Sequence, residues 1–242
     1  MNVLDLCSGI GGFSLGLERA GMNTVAFCEI EPFCQKILNQ HWPDVPIFSD
    51  LRELTHEQIE RPIDLICGGY PCQPFSVAGK RRGKDDSRHL WPEFSRLIRE
   101  IRPNWVLFEN VTGHITMGID DVFADLENQN YTTQAFIIPA CAVDAPHRRN
   151  RVWILGYSHS ELIQRLRPNR KQKLQPHAKE RSSLCTSEMP RATQWETEPQ
   201  LGRVVDGIPN RLDRVKALGN AIIPRIAEIF GHVIMQANNL VE

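Results

Sequence analysis

The amino-acid sequence predicts an α/β fold with a largely parallel sheet. As far as residue 156, short apolar runs of strand length alternate with segments that have helical periodicity. The runs are apolar along most of their length, which is typical of strands that helices cover on both faces. Several of them end in an acidic residue or lead to a cysteine. In such sheets, ligands bind beyond the carboxyl ends of the strands.

Composition restricts the class of protein. The 242 residues are 41% hydrophobic and 24% charged, which suffices for one sizeable core and a small appendage. The net charge of -1 shows no overall basic bias, so a nucleic-acid partner has to be recognised from local patches. Seven irregularly spaced cysteines favour a reducing cytosol, and we expect no bound metal. No basic segment followed by an apolar one begins the chain, so we expect neither export nor a membrane span.

The first strand leads into a glycine turn. The apolar run Val3–Cys7 is followed by a turn that contains Gly9 and Gly11, and then by the predicted helix Phe13–Ala20. The glycines let the backbone approach a ligand closely, and the first turn of the helix supplies free N–H groups.

The second predicted strand, Thr24–Cys28, ends at Glu29, twenty positions after Gly9. An acidic side chain at this spacing is placed to accept hydrogen bonds from ribose hydroxyls. Together the turn and the carboxylate predict a nucleoside-containing cofactor, and the alternative is a plain tight turn. The next short strand, residues 47–50, ends in Asp50, which either caps the following helix or binds the ligand.

Cys72 is the candidate nucleophile. It follows the predicted strand 63–67 across Gly68-Gly69 and stands between two prolines, so neither strand nor helix continues and its thiol lies at the carboxyl end of the sheet. The alternative is an inert buried cysteine. The basic, glycine-punctuated residues 77–88 are predicted to form a mobile loop that meets phosphates, or else a solvated charge run.

Further candidate residues follow in the second half of the chain. The predicted strand Trp105–Phe108 is ended by Glu109, and Arg149 and Arg151 precede another strand, where they bind a ligand or only pair with surface carboxylates. From residue 158 to about residue 201 the chain is polar, which indicates a separate small region or an insertion. The other predicted elements are the helices 32–40, 91–101, 122–129 and 224–237 and the strands 135–138 and 152–156.

Five segments, in order, closely resemble the motifs of the cytosine-C5 DNA methyltransferases of bacteria and phages. The resemblance spans nearly everything except residues 158–201. Two positions depart from the family pattern: Cys7 stands where Phe is frequent, and His147 stands where Gln is expected. The segments are Asp5–Phe13, Gly69–Gln73, Glu109–Val111, His147–Arg151 and Gly219–Pro224.

The resemblance implies a Rossmann-like S-adenosylmethionine-dependent methyltransferase fold. Residues 1–157 would be the catalytic and cofactor-binding domain, 158–201 a short target-recognition region, and 202–242 a segment that returns to the catalytic domain. The cofactor implied is S-adenosyl-L-methionine. Its expected contacts are Gly9, Gly11 and Phe13 around the methionine moiety, Glu29 on the ribose, Asp50 on the adenine amino group, and Asn220.

The resemblance also implies the catalytic roles. Cys72 would add to C6 of a flipped-out cytosine, and a protonated Glu109 would bind N3 of the ring. Arg149 and Arg151 would hold the base carbonyl and a phosphate, or orient Glu109.

The function implied is that of a DNA (cytosine-5)-methyltransferase acting on double-stranded DNA. We expect a cytoplasmic monomer, bacterial or phage-encoded, with a cognate restriction endonuclease as a separate partner and no membrane association. One alternative has the same chemistry on tRNA, which the near-neutral charge allows. The other is a catalytically silent DNA-binding relative, which the intact Cys72, Glu109 and paired arginines disfavour.

Overall fold

The computed structural model describes residues 1–71, 90–158 and 211–239, and seven strands of these residues form one sheet. The strands are β1 (Asn2–Leu6), β2 (Asn23–Cys28), β3 (Ile47–Phe48), β4 (Leu65–Gly68), β5 (Trp105–Val111), β6 (Tyr131–Ile138) and β7 (Arg151–Ser158). Across the sheet their order is β3-β2-β1-β4-β5-β7-β6.

The described ranges contain six α-helices. Proline stands in the first turn of the second and third helices, where its missing N–H would have no intrahelical partner. The third helix has the predicted bounds and ends where Arg102 adopts a left-handed conformation with φ 56°. The helices are α1 (Gly12–Arg19), α2 (Pro32–His41), α3 (Trp91–Ile101), α4 (Ile119–Asn128), α5 (Arg211–Asn220) and α6 (Pro224–Asn239).

Strand β7 runs against its neighbours. The pairs β1–β2, β1–β4, β2–β3 and β4–β5 are parallel, whereas β7 is antiparallel to both β5 and β6. A parallel neighbour needs a long crossover, usually a helix, but residues 139–150 between β6 and β7 contain only the 3-10 turn Ala140–Val143. The predicted α/β fold with a largely parallel sheet is confirmed, with one antiparallel strand that the apolar pattern did not indicate.

The core consists of two clusters of buried side chains, one on each face of the sheet. On one face α3 and α4 pack on the strands, with Phe94, Leu97 and Leu126 fully buried. On the other face α1 and α6 pack on them through Leu17 and Phe230, among others. The last helix, α6, packs against the first helix, α1. This packing brings residues 219–223, which we call the C-terminal turn, next to the glycine turn.

One helical stretch in the described part of the chain, Lys216–Asn238, is long and apolar enough by length and composition to cross a membrane. A core helix meets the same criterion. The stretch is interrupted between α5 and α6, and 33% of its most apolar window is buried. Ile226 and Ile234 belong to the core beneath α6, which accounts for part of its apolar composition.

Candidate active site

A cavity of about 650 Å³ lies beyond the carboxyl ends of β1, β2, β4 and β5, at the edge where the sequence predicts ligand binding. This volume is typical of sites for small molecules and cofactors. The glycine turn, the end of β2 and α5 line one half of it, which we call the nucleoside half. The ends of β4 and β5 and the residues before β7 line the other half, which we call the carboxyl half.

The glycine turn is held in a left-handed backbone conformation. Cys7, Gly9 and Gly11 have φ values of 50°, 56° and 82°. A Cβ atom on Gly11 would lie 2.6 Å from the ring of Trp42, so only glycine fits there. The indole Nε1 of Trp42 in turn donates a hydrogen bond of 2.8 Å to Oε1 of Glu18 on α1. Within the turn, the N–H of Gly11 donates a hydrogen bond of 2.9 Å to the carbonyl oxygen of Ser8, so the turn is fixed by packing and by hydrogen bonding.

Beneath the turn, Asp5 is fully buried on β1. The hydroxyl of Ser14 donates a hydrogen bond of 2.8 Å to its Oδ2, which joins the strand to the start of α1. Burial raises the pKa of Asp5 from 3.8 to about 8, although the bond from Ser14 acts in the opposite direction. The carboxyl is thus protonated in the folded protein at neutral pH.

Glu29 stands at the end of β2 and faces the turn. Its Oε2 accepts a hydrogen bond of 2.7 Å from the N–H of Gly9, and its Oε1 accepts one of 2.8 Å from the N–H of Glu31. Burial raises the pKa of this carboxyl, while the two backbone donors oppose the rise. Each carboxylate oxygen has a further acceptor site, so Glu29 can receive hydroxyl donors from the cavity.

Phe13 and Asp50 also line the nucleoside half. Phe13 is buried, with its ring centroid 5.5 Å from that of Trp153 in an edge-to-face arrangement, so it is both a core residue and part of the wall. Oδ1 of Asp50 accepts a hydrogen bond of 2.9 Å from the N–H of Arg52. Asn220, the last residue of α5, is exposed and also lines the cavity.

Glu109 lies on β5 in the carboxyl half, paired with Arg151. Glu109 is opposite Trp153 in the antiparallel ladder, so Arg151, two residues from Trp153, is its diagonal neighbour on the same face. The Nε of Arg151 lies 2.9 Å from Oε1 of Glu109. Burial nevertheless raises the pKa of Glu109 to about 7, against the opposing effects of Arg151 and Arg149. Both protonation states of this carboxyl are therefore accessible near neutral pH.

The next residue on β5, Asn110, points to the opposite face because side chains alternate along a strand. Its Nδ2 donates a hydrogen bond of 3.1 Å to the carbonyl oxygen of Tyr70. The phenol oxygen of Tyr70 lies 3.3 Å from Nε2 of His114, just after β5. All three side chains are buried. The segment after β4 is thus attached to the end of β5 through Asn110 and to the 3-10 turn after β5 through His114.

Cys72 lies outside the described residues, so the structure places only the backbone that leads to it. Gly69, Tyr70 and Pro71 line the carboxyl half of the cavity. A Cβ atom on Gly69 would lie 3.6 Å from Oε2 of Glu109, so the chain passes close to this carboxyl shortly before residue 72.

Arg149 reaches the carboxyl half but directs its hydrogen bonds elsewhere. Its Nη2 donates to the carbonyl oxygens of Gly219 and Ala221, each at 2.9 Å. It is close enough to Glu109 to act on the pKa of that carboxyl. His147, two residues earlier, is exposed.

Sequence reasoning did not identify several residues that line or support the cavity. Ile30 lines the cavity and directly follows Glu29. Its position just after a predicted strand was a signal that could have indicated this. Asn110 belongs to one of the quoted motifs, but its contact with Tyr70 joins residues forty positions apart. Lys216 on α5 forms an ion pair with Glu31, and no local pattern indicates this contact.

A family model for the C-5 cytosine-specific DNA methylases matches residues 1–201. The chain belongs to the C-5 cytosine-specific DNA methylase family. The matched range includes the glycine turn, Glu29 and the Glu109–Arg151 pair, whereas Asn220 lies beyond it.

The chain is also similar to individual members of bacterial methylase systems. It is 48% identical over 111 residues to the Type II methyltransferase M.NgoMIV of Neisseria gonorrhoeae, covering 46% of this chain and 35% of that protein. It is 31% identical over 198 residues to the Type II methyltransferase M.DdeI of Desulfomicrobium norvegicum, covering 77% of this chain and 46% of the relative. The chain thus spans between a third and a half of the length of these curated relatives.

Solved structures share the fold of this DNA methylase family member. One is a protein described as a DNA modification methyltransferase encoded within an E. coli prophage, with 33% identity, a TM-score of 0.57 and coverage of 65% of this chain and 47% of the other. Spodoptera frugiperda DNMT2, at 23% identity and a TM-score of 0.57, covers 72% and 53% and shows the fold alone. The predicted Rossmann-like methyltransferase fold is thereby confirmed.

Proposed function

We propose that this chain is a DNA (cytosine-5)-methyltransferase that transfers a methyl group from S-adenosyl-L-methionine to C5 of a flipped-out cytosine. The observation that carries the proposal is the ion pair of the buried Glu109 with the half-buried Arg151, in the same cavity as the glycine turn and Glu29. A group that donates a proton to a base and a site that accepts a nucleoside therefore share one space. Membership of the methylase family supports the same conclusion.

The nucleoside half suits S-adenosyl-L-methionine. Within the left-handed turn, a Cβ atom on Gly9 would meet nothing within 4 Å, which leaves room for a ligand against the backbone, whereas Gly11 packs on Trp42 and supports the turn. Glu29 has acceptor sites for ribose hydroxyls. Phe13 would contact the methionine moiety, Asp50 would contact the adenine amino group, and Asn220 would contact the cofactor from the end of α5. When bound, this cofactor supplies an electrophilic methyl group on a sulfonium.

The carboxyl half suits a cytosine ring. C5 of cytosine is a weak nucleophile, and addition of the Cys72 thiolate to C6 converts the ring into an enamine whose C5 is reactive. Negative charge then develops on the ring, and the protonated carboxyl of Glu109 relieves it by donating to N3. Arg151 holds Glu109 and presents its remaining donors to the base carbonyl. Once C5 carries its methyl group, loss of the C5 proton and cleavage of the S–C6 bond release Cys72.

Cytosine inside a duplex cannot reach this cavity without leaving the stack, so we propose base flipping. Residues 75–88 would close behind the base, and residues 158–201 would serve as a short target-recognition region before the chain returns to the catalytic domain. Residues 75–88 and 159–201 lie outside the described part of the chain. Double-stranded DNA is the proposed partner, and the bacterial Type II relatives support a cytoplasmic enzyme associated with a separate restriction endonuclease. We propose that the enzyme acts as a monomer.

The test is bisulfite sequencing of plasmid DNA from cells that express this chain, with Cys72→Ala as the matched control. Protected cytosines in one short sequence context, absent from the control, are the expected result. Full conversion in both samples, with the protein shown to be soluble, would contradict the DNA substrate. Labelled methyl transfer to tRNA would then favour the RNA enzyme, and binding of DNA without transfer to either nucleic acid would favour the silent relative.

A further inference from the structure

Arg149 lies where the two halves of the cavity meet. It precedes β7 with a left-handed φ of 33°, a conformation that side-chain-bearing residues adopt rarely. Its side chain is half-buried, and its guanidinium crosses the cavity from the sheet to the C-terminal turn. Its hydrogen-bond acceptors, in Gly219 and Ala221, lie 70 and 72 residues later in the chain.

The two acceptors of Arg149 flank a single residue. They are the carbonyl oxygens of Gly219 and Ala221, on either side of Asn220. Carbonyls at the C-terminal end of a helix lack intrahelical donors and carry partial negative charge, so a guanidinium satisfies them in both respects. Arg149 therefore fixes the backbone on both sides of Asn220, at the end of α5.

The surroundings make this contact important for the cavity. Gly219, Asn220 and Ala221 all line the cavity, and Ala217 also does so from the same helix. From the same helix, Lys216 pairs with Glu31, and both of these residues also line the cavity. Among the described residues, α5 and its terminal turn are thus held by two charged contacts, Lys216 with the segment after β2 and Arg149 with the segment before β7. The other arginine of the motif, Arg151, contacts Glu109 instead.

We propose that Arg149 is a positioning residue for the cofactor, acting through the carbonyls of Gly219 and Ala221 to hold Asn220 at the nucleoside half. This inference rests on the proposed function. It separates the two arginines that the sequence pattern treats alike: Arg151 serves the base, and Arg149 couples the base side of the cavity to the cofactor side. Loss of Arg149 therefore weakens cofactor binding in the absence of DNA, whereas loss of Arg151 does not.

The first experiment measures the dissociation constant of S-adenosylhomocysteine by calorimetry, without DNA, for the unsubstituted chain and for Arg149→Met, Arg149→Lys and Arg151→Met. Arg148→Met is the matched control, since Arg148 is the exposed neighbour. We expect Arg149→Met to raise the dissociation constant about tenfold, which corresponds to one or two hydrogen bonds. Arg149→Lys should be intermediate, because one ammonium is a point charge and not a planar fork. Arg151→Met and Arg148→Met should bind as the unsubstituted chain does.

A second experiment distinguishes positioning from general destabilisation. Asn220→Ala and the double variant with Arg149→Met complete a double-mutant cycle for cofactor affinity. If Arg149 acts through the turn at Asn220, the double variant binds no more weakly than the weaker single variant. Fully additive losses, or an unchanged affinity for Arg149→Met, overturn the inference while the proposed function stands. If the unsubstituted chain binds no S-adenosylhomocysteine, the proposed function fails and the inference with it.

Discussion

The side-chain amide of Asn110 donates a hydrogen bond to the carbonyl oxygen of Tyr70, at 3.1 Å, and so joins the end of β5 to the segment that follows β4. The Oδ1 atom of Asn110 accepts a bond from the N–H of Val111, which fixes the orientation of the amide. Tyr70 precedes Cys72 by two positions. Together with the contact between Tyr70 and His114, this bond fixes where the chain lies as it approaches the proposed nucleophile.

We predict that Asn110→Ala lowers both stability and turnover. The buried carbonyl of Tyr70 would lose its donor, which costs roughly 1–3 kcal/mol in the free energy of unfolding. A displaced nucleophile should lower kcat by roughly ten- to a hundredfold. Urea unfolding and methyl-transfer kinetics measure the two effects. Asn110→Asp keeps the acceptor for Val111 but cannot donate to Tyr70, so it should behave like the alanine variant. A normal kcat in both variants would refute the role of Asn110 in placing the nucleophile.

The pKa of Glu109, about 7, predicts a pH dependence of the reaction. The proposed donor is the protonated carboxyl, which predominates below that pKa, so kcat/KM should fall as the pH rises above about 7 through this group. Glu109→Gln should lower kcat by roughly 10²- to 10⁴-fold and remove this alkaline limb. The measurement is a pH–rate profile with duplex DNA, and an unchanged limb in the glutamine variant would assign it to another group.

Replacing Arg151 should shift the alkaline limb of the pH–rate profile. The guanidinium lowers the pKa of Glu109, so Arg151→Met raises that pKa and shifts the fall in kcat/KM to higher pH. The rate at the optimum should also decrease, because the carboxyl loses the partner that orients it. Arg99→Met, on the exposed side of α3, is the control for the loss of one positive charge. A shift to lower pH would contradict the ion pair.

Substitution of Glu29 should affect cofactor affinity, and substitution of Cys72 should affect methyl transfer. Glu29→Ala removes two proposed ribose contacts and the bond that holds Gly9, so cofactor binding should weaken by roughly 1–3 kcal/mol. Cys72→Ala should abolish methyl transfer and leave cofactor affinity nearly intact, because the thiol meets the base and not the adenosine. Calorimetry with S-adenosylhomocysteine measures both. A tenfold loss of affinity in Cys72→Ala, or none in Glu29→Ala, would contradict these assignments.

The buried carboxyl of Asp5 predicts how stability depends on pH. In the unfolded chain it releases its proton near pH 3.8, whereas in the folded protein it does so near pH 8. The folded state therefore binds more protons between these values, and its stability falls as the pH rises. Asp5→Asn keeps an acceptor for Ser14 and should raise the free energy of unfolding at pH 7 by roughly 1–4 kcal/mol.

Urea titrations at pH 5 and pH 8 provide the comparison for this variant. The difference between the two pH values should be smaller in Asp5→Asn than in the unsubstituted chain, with Glu109 retaining its own contribution of the same sign. The exposed Asp44→Asn is the matched control and should leave the difference unchanged. A destabilised Asp5→Asn at pH 7 would show that the carboxyl is ionised in the folded protein.

Much of the fold follows from local patterns. The bounds of α3 coincide with its apolar periodicity, and the spacing between Gly9 and Glu29 corresponds to a direct hydrogen bond between them. Both features depend on residues in one strand–turn–helix unit or in adjacent parallel strands. For such units, the local sequence is sufficient to predict which side chains come together.

Other features depend on pairing that no local pattern encodes. The direction of β7 is set by the absence of a crossover helix after β6, although its apolar run resembles those of the parallel strands. Arg151 contacts Glu109 because of that direction, whereas Arg149 contacts the end of α5, which lies 70 residues later in the chain. Alternating arginines in a motif indicate that a site is cationic, but not which acceptor each one reaches.

Because of the antiparallel ladder between β5 and β7, the site is also sensitive to substitutions that lie far from the cavity. Gly156, opposite Val106 near the other end of the ladder, leaves no room for a side chain: a Cβ atom there would lie 2.7 Å from Cγ2 of Val106. A slip of two residues along β7 would move Arg151 by about 6.8 Å relative to Glu109. Inactivating substitutions in this family member should therefore also arise at positions such as Gly156, which contact neither DNA nor cofactor, and such variants would escape any search confined to the cavity.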